Sequence, residues 1–408
     1  VDILFIHPNF PGQFRQLAAY FAHHPNTHVF AVGDEAWVAD NEPIDAVVLM
    51  TYPSPEKAGD SVHRYNRSMD VAVRRAELVK DLLLAKKREG FEPEIIIVHP
   101  GWGDAFFLKE LFPLTPVVGF FEFFYHPRGA DVGFDPEFPS GFDDIFRLKI
   151  LNGVQLLALE SCDYHISPTH WQKKLFPAVY HDKIHVLHEG IEVELLHPND
   201  QAQVLLPNGR VLTKQDEVLT YVSRSLEPYR GYHQFMRALP RILAERPNCQ
   251  VIIVGKDDVS YGLKPRDGIS YRQKYWDEVK GQLDESRVHF LGSIAYTDYL
   301  SVLKISSAHV YLTYPFVLSW SPMEAMALGC KIVASDTIPV KEVMEHGKNA
   351  LLVPFFEPIK LAESVIAILN KPAHYQHLGE QARSDILSNY DAKSAFEQYH
   401  SLIKSLVD

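Results

Sequence analysis

Short apolar runs alternate with longer stretches of helical periodicity along most of this chain. In the first half the runs are DILFIH (Asp2–His7), HVFAVG (His28–Gly33), DAVVLM (Asp45–Met50), EIIIVHP (Glu94–Pro100), PVVGFFE (Pro116–Glu122) and YHISPT (Tyr164–Thr169). Amphipathic stretches such as Val62–Lys87 and Asp144–Glu160 lie between them. Buried strands of this length, joined by helices, predict βαβ units and a parallel sheet with helices on both faces. KIHVLHEGI adds a strand and runs into EVELLHPND, whose proline and polar residues mark a linker near His197–Asp200. The pattern then restarts: VLTYVSRSL, a helix from about Gly231 to Glu245, QVIIVGK, VHFLGS, a helix, HVYLTYP, a helix and KIVASD. A polar, Tyr-rich insert, Asp257–Gln282, predicts a loop carrying one helix, and the last helices start at Pro358. Neither a short-period repeat nor a low-complexity segment interrupts this order.

The expected fold class is therefore α/β, with two facing Rossmann-like, doubly wound parallel-sheet domains and a cleft between them. The first spans residues 1–198 and the second residues 199–390, and a C-terminal helix, 391–408, is expected to pack back toward the first. The length of 408 residues suits two cores better than one. Ligands of such sheets bind beyond the carboxyl ends of the strands. An apolar fraction of 46% and a charged fraction of 23% are those of a soluble globular protein. A net charge of −12 argues against nucleic acid as a partner. Cys162, Cys249 and Cys330 have no metal-ligand spacing and read as buried thiols in a reducing, cytoplasmic setting. The chain opens as a core strand with no signal peptide, and its apolar runs fall short of a membrane span.

Chemistry concentrates where strands end. In YVSRSLEPYRGYHQF, Arg224 closes a strand and Arg230 and Gly231 precede a helix. Two cations beside the free amides of a helix start make a site for a diphosphate; the alternative is two solvated surface charges. In SPME, Ser321 as N-cap, Pro322 at the first helical position and Glu324 at the third form a capping box. The same Glu324 is equally placed to accept hydrogen bonds from ribose hydroxyls, and the residues alone leave both roles open. HPNFPGQF places Gly12 at a strand-to-helix turn, where backbone amides can meet phosphate or form a plain turn. Glu122 and His126 follow the strand in FFEFFYHPRGAD, and His99 and Trp102 follow the one in HPGWGD, with an aromatic ring suited to sugar or lipid contact on the acceptor side. The adjacent acids Asp143–Asp144 and Asp257–Asp258 read as solvated loop residues, so no metal is expected. The helix holding Arg64, Arg67, Arg74, Arg75, Lys80, Lys86, Lys87 and Arg88 also carries Asp70, Glu77, Asp81 and Glu89. It reads as a core-packed helix with a charged outer face; weak peripheral contact with an anionic membrane is the other reading.

SRSLEPYRG, VIIVGK, VHFLGSIAYTDYLSVLKISSAHVYLTYP and SPMEAMALGCKIVASDTIPVKEVMEHGKNALLV, in this order, resemble the C-terminal half of family-4 glycosyltransferases. HPNFPGQFRQLA resembles their first strand, loop and helix more loosely. The resemblance implies the GT-B fold and retention of anomeric configuration, with an N-terminal acceptor domain and a C-terminal donor domain. It implies that Arg224 and Arg230 grip the donor diphosphate and that Glu324, the second acid of an E-x7-E motif, contacts the ribose. It also implies a base beside Ser293 and Ile294, a donor wall that includes Gly255, and an N-domain histidine, here His126, touching the sugar. The first acid of the motif is replaced by Phe316, and VLSW stands where a glycine-rich segment is usual. The departure concerns the transferred sugar rather than the nucleotide, with Phe316 and the backbone amides of Leu318, Ser319 and Trp320 facing it, or Phe316 simply ending a buried strand.

The expectation is a cytoplasmic, metal- and cofactor-independent retaining glycosyltransferase. It would move a sugar from a nucleotide-diphosphate donor, UDP-sugar favoured, to a hydroxyl of a glycan, lipid-linked or protein acceptor. Arg224, Arg230, Glu122 and His126 are the candidate catalytic groups. A GT-B sugar-nucleotide epimerase or hydrolase and a non-catalytic nucleotide-sugar-binding protein remain as competitors. A carbohydrate phosphorylase lacks a candidate for its cofactor-bearing lysine.

Overall fold

The computed structural model describes residues 1–407, which form two compact units. One holds residues 1–190 and the chain from Ala392 onward; the other is Ile191–Asp391.

In the first unit seven parallel strands make one sheet: β1 (Asp2–Ile6), β2 (His28–Asp34), β3 (Val47–Tyr52), β4 (Ile95–Val98), β5 (Val117–Phe120), β6 (Tyr164–Ser167) and β7 (Ile184–Val186). Their order is β3-β2-β1-β4-β5-β6-β7, so the winding direction reverses between β1 and β4. Phe5 lies level with Ala31 on one side and Ile97 on the other. The two-residue period of a strand splits β1 and β4 between two cores. Leu4, Ile6, Ile96 and Val98 face the helices Arg67–Arg88 and Phe142–Ser161 through Ala76, Val79, Leu83, Val154 and Ala158. Ile3, Phe5, Ile95 and Ile97 face Phe14, Leu17 and Phe21, together with Tyr399 and Ile403 of the last helix, Ala392–Val407. That helix is remote in sequence but completes this core. β3, at the sheet edge, leaves Val48 and Leu49 exposed, as an edge strand with one free side does.

The second unit opens with an antiparallel hairpin, β8 (Gln203–Leu205) and β9 (Val211–Thr213). The sequence signal for it, Asn208–Gly209 between apolar runs, was available in QVLLPNGRVLT. Six parallel strands follow: β10 (Val218–Ser225), β11 (Gln250–Lys256), β12 (Val288–Gly292), β13 (Ala308–Tyr311), β14 (Ile332–Ser335) and β15 (Leu351–Val353). Their order is β12-β11-β10-β13-β14-β15, so this sheet reverses between β10 and β13. The Tyr-rich insert forms a loop and one helix, Tyr271–Val279. Cys162, Cys249 and Cys330 are all buried free thiols. Among the described residues no helix is long and apolar enough to cross a membrane.

Tyr399, 2% exposed, fills the core of the first unit from the far end of the chain. Tyr399→Ala should cost about 3 kcal/mol of stability by leaving a cavity there. Urea denaturation followed by tryptophan fluorescence reads this; an unchanged midpoint would show that the helix adds nothing to that core.

Candidate functional site

Each sheet reverses its winding at one place, and each puts a polar cluster at the carboxyl ends of the strands flanking that place. In the second unit the cluster begins with β10. Arg224, near its end, is exposed. The chain then turns through Pro228–Arg230 into the helix Tyr232–Glu245. Gly231 between them has φ of 68°, and a Cβ there would come within 2.3 Å of Leu312 Cβ, in the loop after β13. Only glycine accommodates both that backbone and that approach. The Tyr314 amide donates to the Tyr229 carbonyl at 2.9 Å, tying the two loops across the reversal.

This close approach buries Arg230, which is 4% exposed. Its Nη1 donates to Tyr311 Oη (3.1 Å), Thr313 Oγ1 (2.8 Å) and the Val317 carbonyl (3.0 Å), all beyond or at the end of β13. Its guanidinium carbon sits 5.0 Å from the ring centre of Tyr261 and 5.9 Å from that of Phe316. None of these partners is a carboxylate. Burial works against the charge, but Tyr311, Tyr261 and Glu227 outweigh it, so the pKa is raised and the group stays cationic. A buried cation held by neutral acceptors is a ready anion site, because an incoming anion replaces solvation that the fold has removed.

Glu324 is placed differently from expectation. The helix runs Trp320–Ala327 with Ser319 at its N-cap, so Ser321 and Pro322 lie inside its first turn and no capping box forms. Glu324 falls in the second turn, and its carboxylate accepts from Tyr296 Oη at 2.7 Å and Tyr299 Oη at 2.5 Å. Burial raises the Glu324 pKa against the lowering effect of the two hydroxyls. Both tyrosines belong to the helix Tyr296–Lys304, which follows Ser293 and Ile294, so the segment expected to meet the base adjoins the acid expected to meet the ribose.

Phe316 does not end a strand. β13 stops at Tyr311, and Phe316 lies half-buried in the following loop, edge-on to Tyr229 (5.6 Å) and tilted against Tyr261 (5.0 Å). Leu318 is buried, and the Ser319 amide donates to Tyr311 Oη at 3.3 Å, so that amide is engaged within the fold. Trp320 opens the helix. Gly255 packs where a Cβ would meet the Ser223 carbonyl at 2.8 Å, which gives it a packing reason under the end of β10.

In the first unit a chain of hydrogen bonds spans the β1–β4 reversal. His7 Nδ1 accepts from the Asn9 amide, so its Nε2 carries the proton and donates to Gln13 Oε1 at 2.8 Å. Gln13 Nε2 donates to Glu122 Oε2 (2.8 Å), and His99 Nε2 meets the same oxygen at 3.0 Å. Burial, then the neighbouring His99, pushes the His7 pKa well below its usual value and keeps it neutral. Gly12 has φ of 45° and lies against the His7 ring, within 2.6 Å of where a Cβ would stand. Trp102 lies over His99, with ring centres 4.6 Å apart, and meets Trp37 edge-on. His126 stands outside this chain, its Nε2 2.6 Å from the Leu175 carbonyl.

Arg75 belongs inside rather than on the charged outer face. It is 4% exposed and donates to Asp34 Oδ2 (3.2 Å) and Tyr52 Oη (2.8 Å), while Tyr52 donates to Asp104 Oδ1 (3.0 Å). The adjacent acids are occupied locally: Asp143 pairs with Arg64, Asp144 accepts from the Gly141 amide, Asp258 pairs with Lys264 and Asp257 with Arg272. Sequence reasoning missed Gln13, Glu227, Tyr261, Tyr296 and Tyr299. The repeated tyrosines of the insert and of GSIAYTDY were the only signal.

Two family models match the chain: "Glycosyl transferase family 4 group" over residues 26–196 and "Glycosyl transferases group 1" over residues 208–385. A Methanocaldococcus jannaschii protein named as an uncharacterized glycosyltransferase is 23% identical over 229 residues, 55% of this chain and 53% of that one. The phosphatidyl-myo-inositol mannosyltransferase of Mycobacterium tuberculosis is 28% identical over 169 residues, 38% of this chain and 39% of that protein. The match thus spans about half or less of these relatives' length. Among solved structures, sucrose-phosphate synthase from Thermosynechococcus elongatus aligns with a TM-score of 0.72 at 17% identity, covering 99% of this chain and 98% of that one. HepE of Anabaena, solved in complex with UDP-glucose, aligns with a TM-score of 0.69 at 17% identity, covering 99% of both chains.

Burial pushes the Asp104 carboxyl up to about 6, so its ionisation opposes folding. The stability that its protonated form provides is present below about pH 4 and lost as pH rises through 6. Between pH 4 and pH 7 an Asp104→Asn variant should gain about 2 kcal/mol relative to the parent. Urea denaturation at both pH values reads this, and a gap that stays constant would contradict it.

Proposed function

We propose that this chain, which belongs to the GT-B glycosyltransferases of family 4, moves a sugar from a nucleoside-diphosphate donor to an acceptor hydroxyl with retention at the anomeric carbon. The observation that carries the reading is Arg230: a buried guanidinium hydrogen-bonded to hydroxyls and a carbonyl and covered by rings, in the loop that follows the strand end bearing the exposed Arg224. The two cations hold the diphosphate and stabilise the charge that grows on it as the sugar departs, so no metal is needed for that task. Glu324, oriented by Tyr296 and Tyr299, accepts from the ribose hydroxyls. The base lies against Ser293 and Ile294. Uracil is favoured by the likeness to HepE, which was solved with UDP-glucose.

The first unit is the acceptor domain in this reading, with Trp102 and His99 on the acceptor side. Retention follows if the acceptor oxygen bonds to the anomeric carbon on the face from which the diphosphate departs, the breaking bond's phosphate oxygen taking the acceptor's proton. A lipid-linked acceptor is supported by the likeness to a phosphatidyl-inositol mannosyltransferase, and glycan and protein acceptors belong to the same class of hydroxyl nucleophile. The enzyme would work in the cytoplasm, with weak peripheral contact with the membrane when the acceptor is a lipid. Phe316 favours a second reading, binding of a nucleotide sugar without transfer, because a phenyl ring accepts no hydrogen bond from a sugar hydroxyl.

Calorimetric titration with UDP, ADP and GDP tests the site. The parent should bind at least one of them; Arg230→Ala should weaken that binding about a hundredfold and Glu324→Ala about tenfold. Equal binding by parent and variants would overturn the assignment of both residues. Product analysis by NMR, with the donor that binds and a panel of acceptors, should give a product of unchanged anomeric configuration. An inverted anomer would exclude the mechanism, and binding without any product would favour the second reading.

A further inference from the structure

The Tyr-rich insert after β11 has no place in the reading above, yet its first turn lies on the diphosphate site. Glu227, fully buried between Arg224 and Arg230 in the chain, turns its carboxylate to that turn. Oε1 accepts from the amides of Ser260 (2.8 Å) and Tyr261 (3.2 Å), and Oε2 from those of Tyr261 (3.2 Å) and Gly262 (2.8 Å). Ser225 Oγ and Ser260 Oγ, 2.7 Å apart, add a second tie between the end of β10 and the insert. Three consecutive amides converging on one carboxylate leave the turn a single position. The side chain so placed is Tyr261, whose ring lies over the Arg230 guanidinium and against Phe316.

We propose that Tyr261 is a wall of the diphosphate site and that Glu227 is the positioning residue that holds it there. The inference rests on the reading of Arg230 as a diphosphate ligand. With its neighbour Phe316, the Tyr261 ring covers the guanidinium from solvent and fixes its plane, so that the donor edge left over by Tyr311, Thr313 and Val317 meets the anion in one orientation. Glu227 touches no ligand; its carboxylate accepts from the turn, and its charge also favours the cationic form of Arg230. The polar insert is thereby part of the donor site, and the aromatic Phe316 has a reason to stand where it does: it packs against the ring that Glu227 delivers.

The experiment is a double-mutant cycle on the full chain, with the dissociation constant of UDP, or of ADP or GDP if the parent prefers one, read by calorimetry. Glu227→Gln supplies one acceptor oxygen in place of two and sets an NH2 group against amide donors, so the turn is released. Glu227→Gln and Tyr261→Ala should each weaken binding about tenfold, and the double variant should be no worse than either, because both remove the same contact. Tyr261→Phe, which keeps the ring and loses the hydroxyl that bonds Arg230, should weaken binding clearly less than Tyr261→Ala. Effects that multiply to about a hundredfold in the double variant would overturn the assignment of Glu227. So would a lowered melting temperature of Glu227→Gln with unchanged binding, the mark of a purely structural role. A Tyr261→Ala variant that binds like the parent, or a Tyr261→Phe variant as weak as Tyr261→Ala, would overturn the part assigned to the ring. If the parent binds no nucleoside diphosphate at all, the reading of Arg230 fails first and this inference falls with it; if the parent binds and Arg230→Ala does not, only the present inference is at stake in the cycle.

Discussion

A guanidinium whose hydrogen bonds go to neutral groups, buried where a parallel sheet reverses its winding, is the constraint around which the second unit is arranged. Taking a cation out of water is costly unless the fold supplies dipoles in place of the lost hydration. Here Tyr311, Thr313 and the Val317 carbonyl do so on one side and the Tyr261 ring does so on another. Those groups come from two segments, the end of β13 with its following loop and the insert after β11, and they close on the β10 loop that carries Arg230. Gly231 lets the β10 loop lie on Leu312, the Tyr314 amide binds Tyr229, and Tyr221 Oη donates to the Arg230 carbonyl at 2.6 Å.

The first unit solves the same topological problem with different electrostatics. Its sheet also reverses beside the first strand, but the side chains collected there are a neutral histidine, an amide, a carboxylate and a second histidine in one hydrogen-bonded line. The line runs from donor to acceptor without an uncompensated cation, so it holds shape and polarity rather than a strong anion. The buried charge of this unit is elsewhere and is paired: Arg75 meets Asp34 at 3.2 Å. Arg75 is thus paired with a carboxylate, whereas the hydrogen bonds of Arg230 go to neutral groups, and on the proposed reading it is the latter that meets a ligand.

Glu324 and Phe316 show how far local reasoning reaches. A serine, a proline and a glutamate in the right order are a sound signal for a capped helix start, but the helix began two residues earlier, at Trp320, and the glutamate was drawn to two tyrosines. Phe316 looked like the end of a strand because the apolar run continues through it; the strand stops at Tyr311, after which the Thr313 backbone meets the Ser335 side chain and Tyr314 and Val317 are bound to the β10 loop.

Periodicity by itself determined the α/β class, the restart of the pattern after the first sheet and the strands that end in chemistry, because a two-residue or 3.6-residue repeat of apolar positions is a property of neighbouring residues. The order of motifs in the second half also singled out Arg224, Arg230 and Glu324 as the residues expected to meet the donor. What the tertiary structure alone decided was which charges are buried and what they meet. Arg75 lies on a helix whose sequence reads as a charged surface, and it is buried because Asp34, 41 positions away, lies beneath it. Glu227 is silent in SRSLEPYRG and becomes the anchor of a turn 33 to 35 positions away. Glu324 meets hydroxyls 25 and 28 positions away. Such partners are chosen by how the sheet is wound and how closely its loops approach, and neither is written in the spacing of adjacent residues.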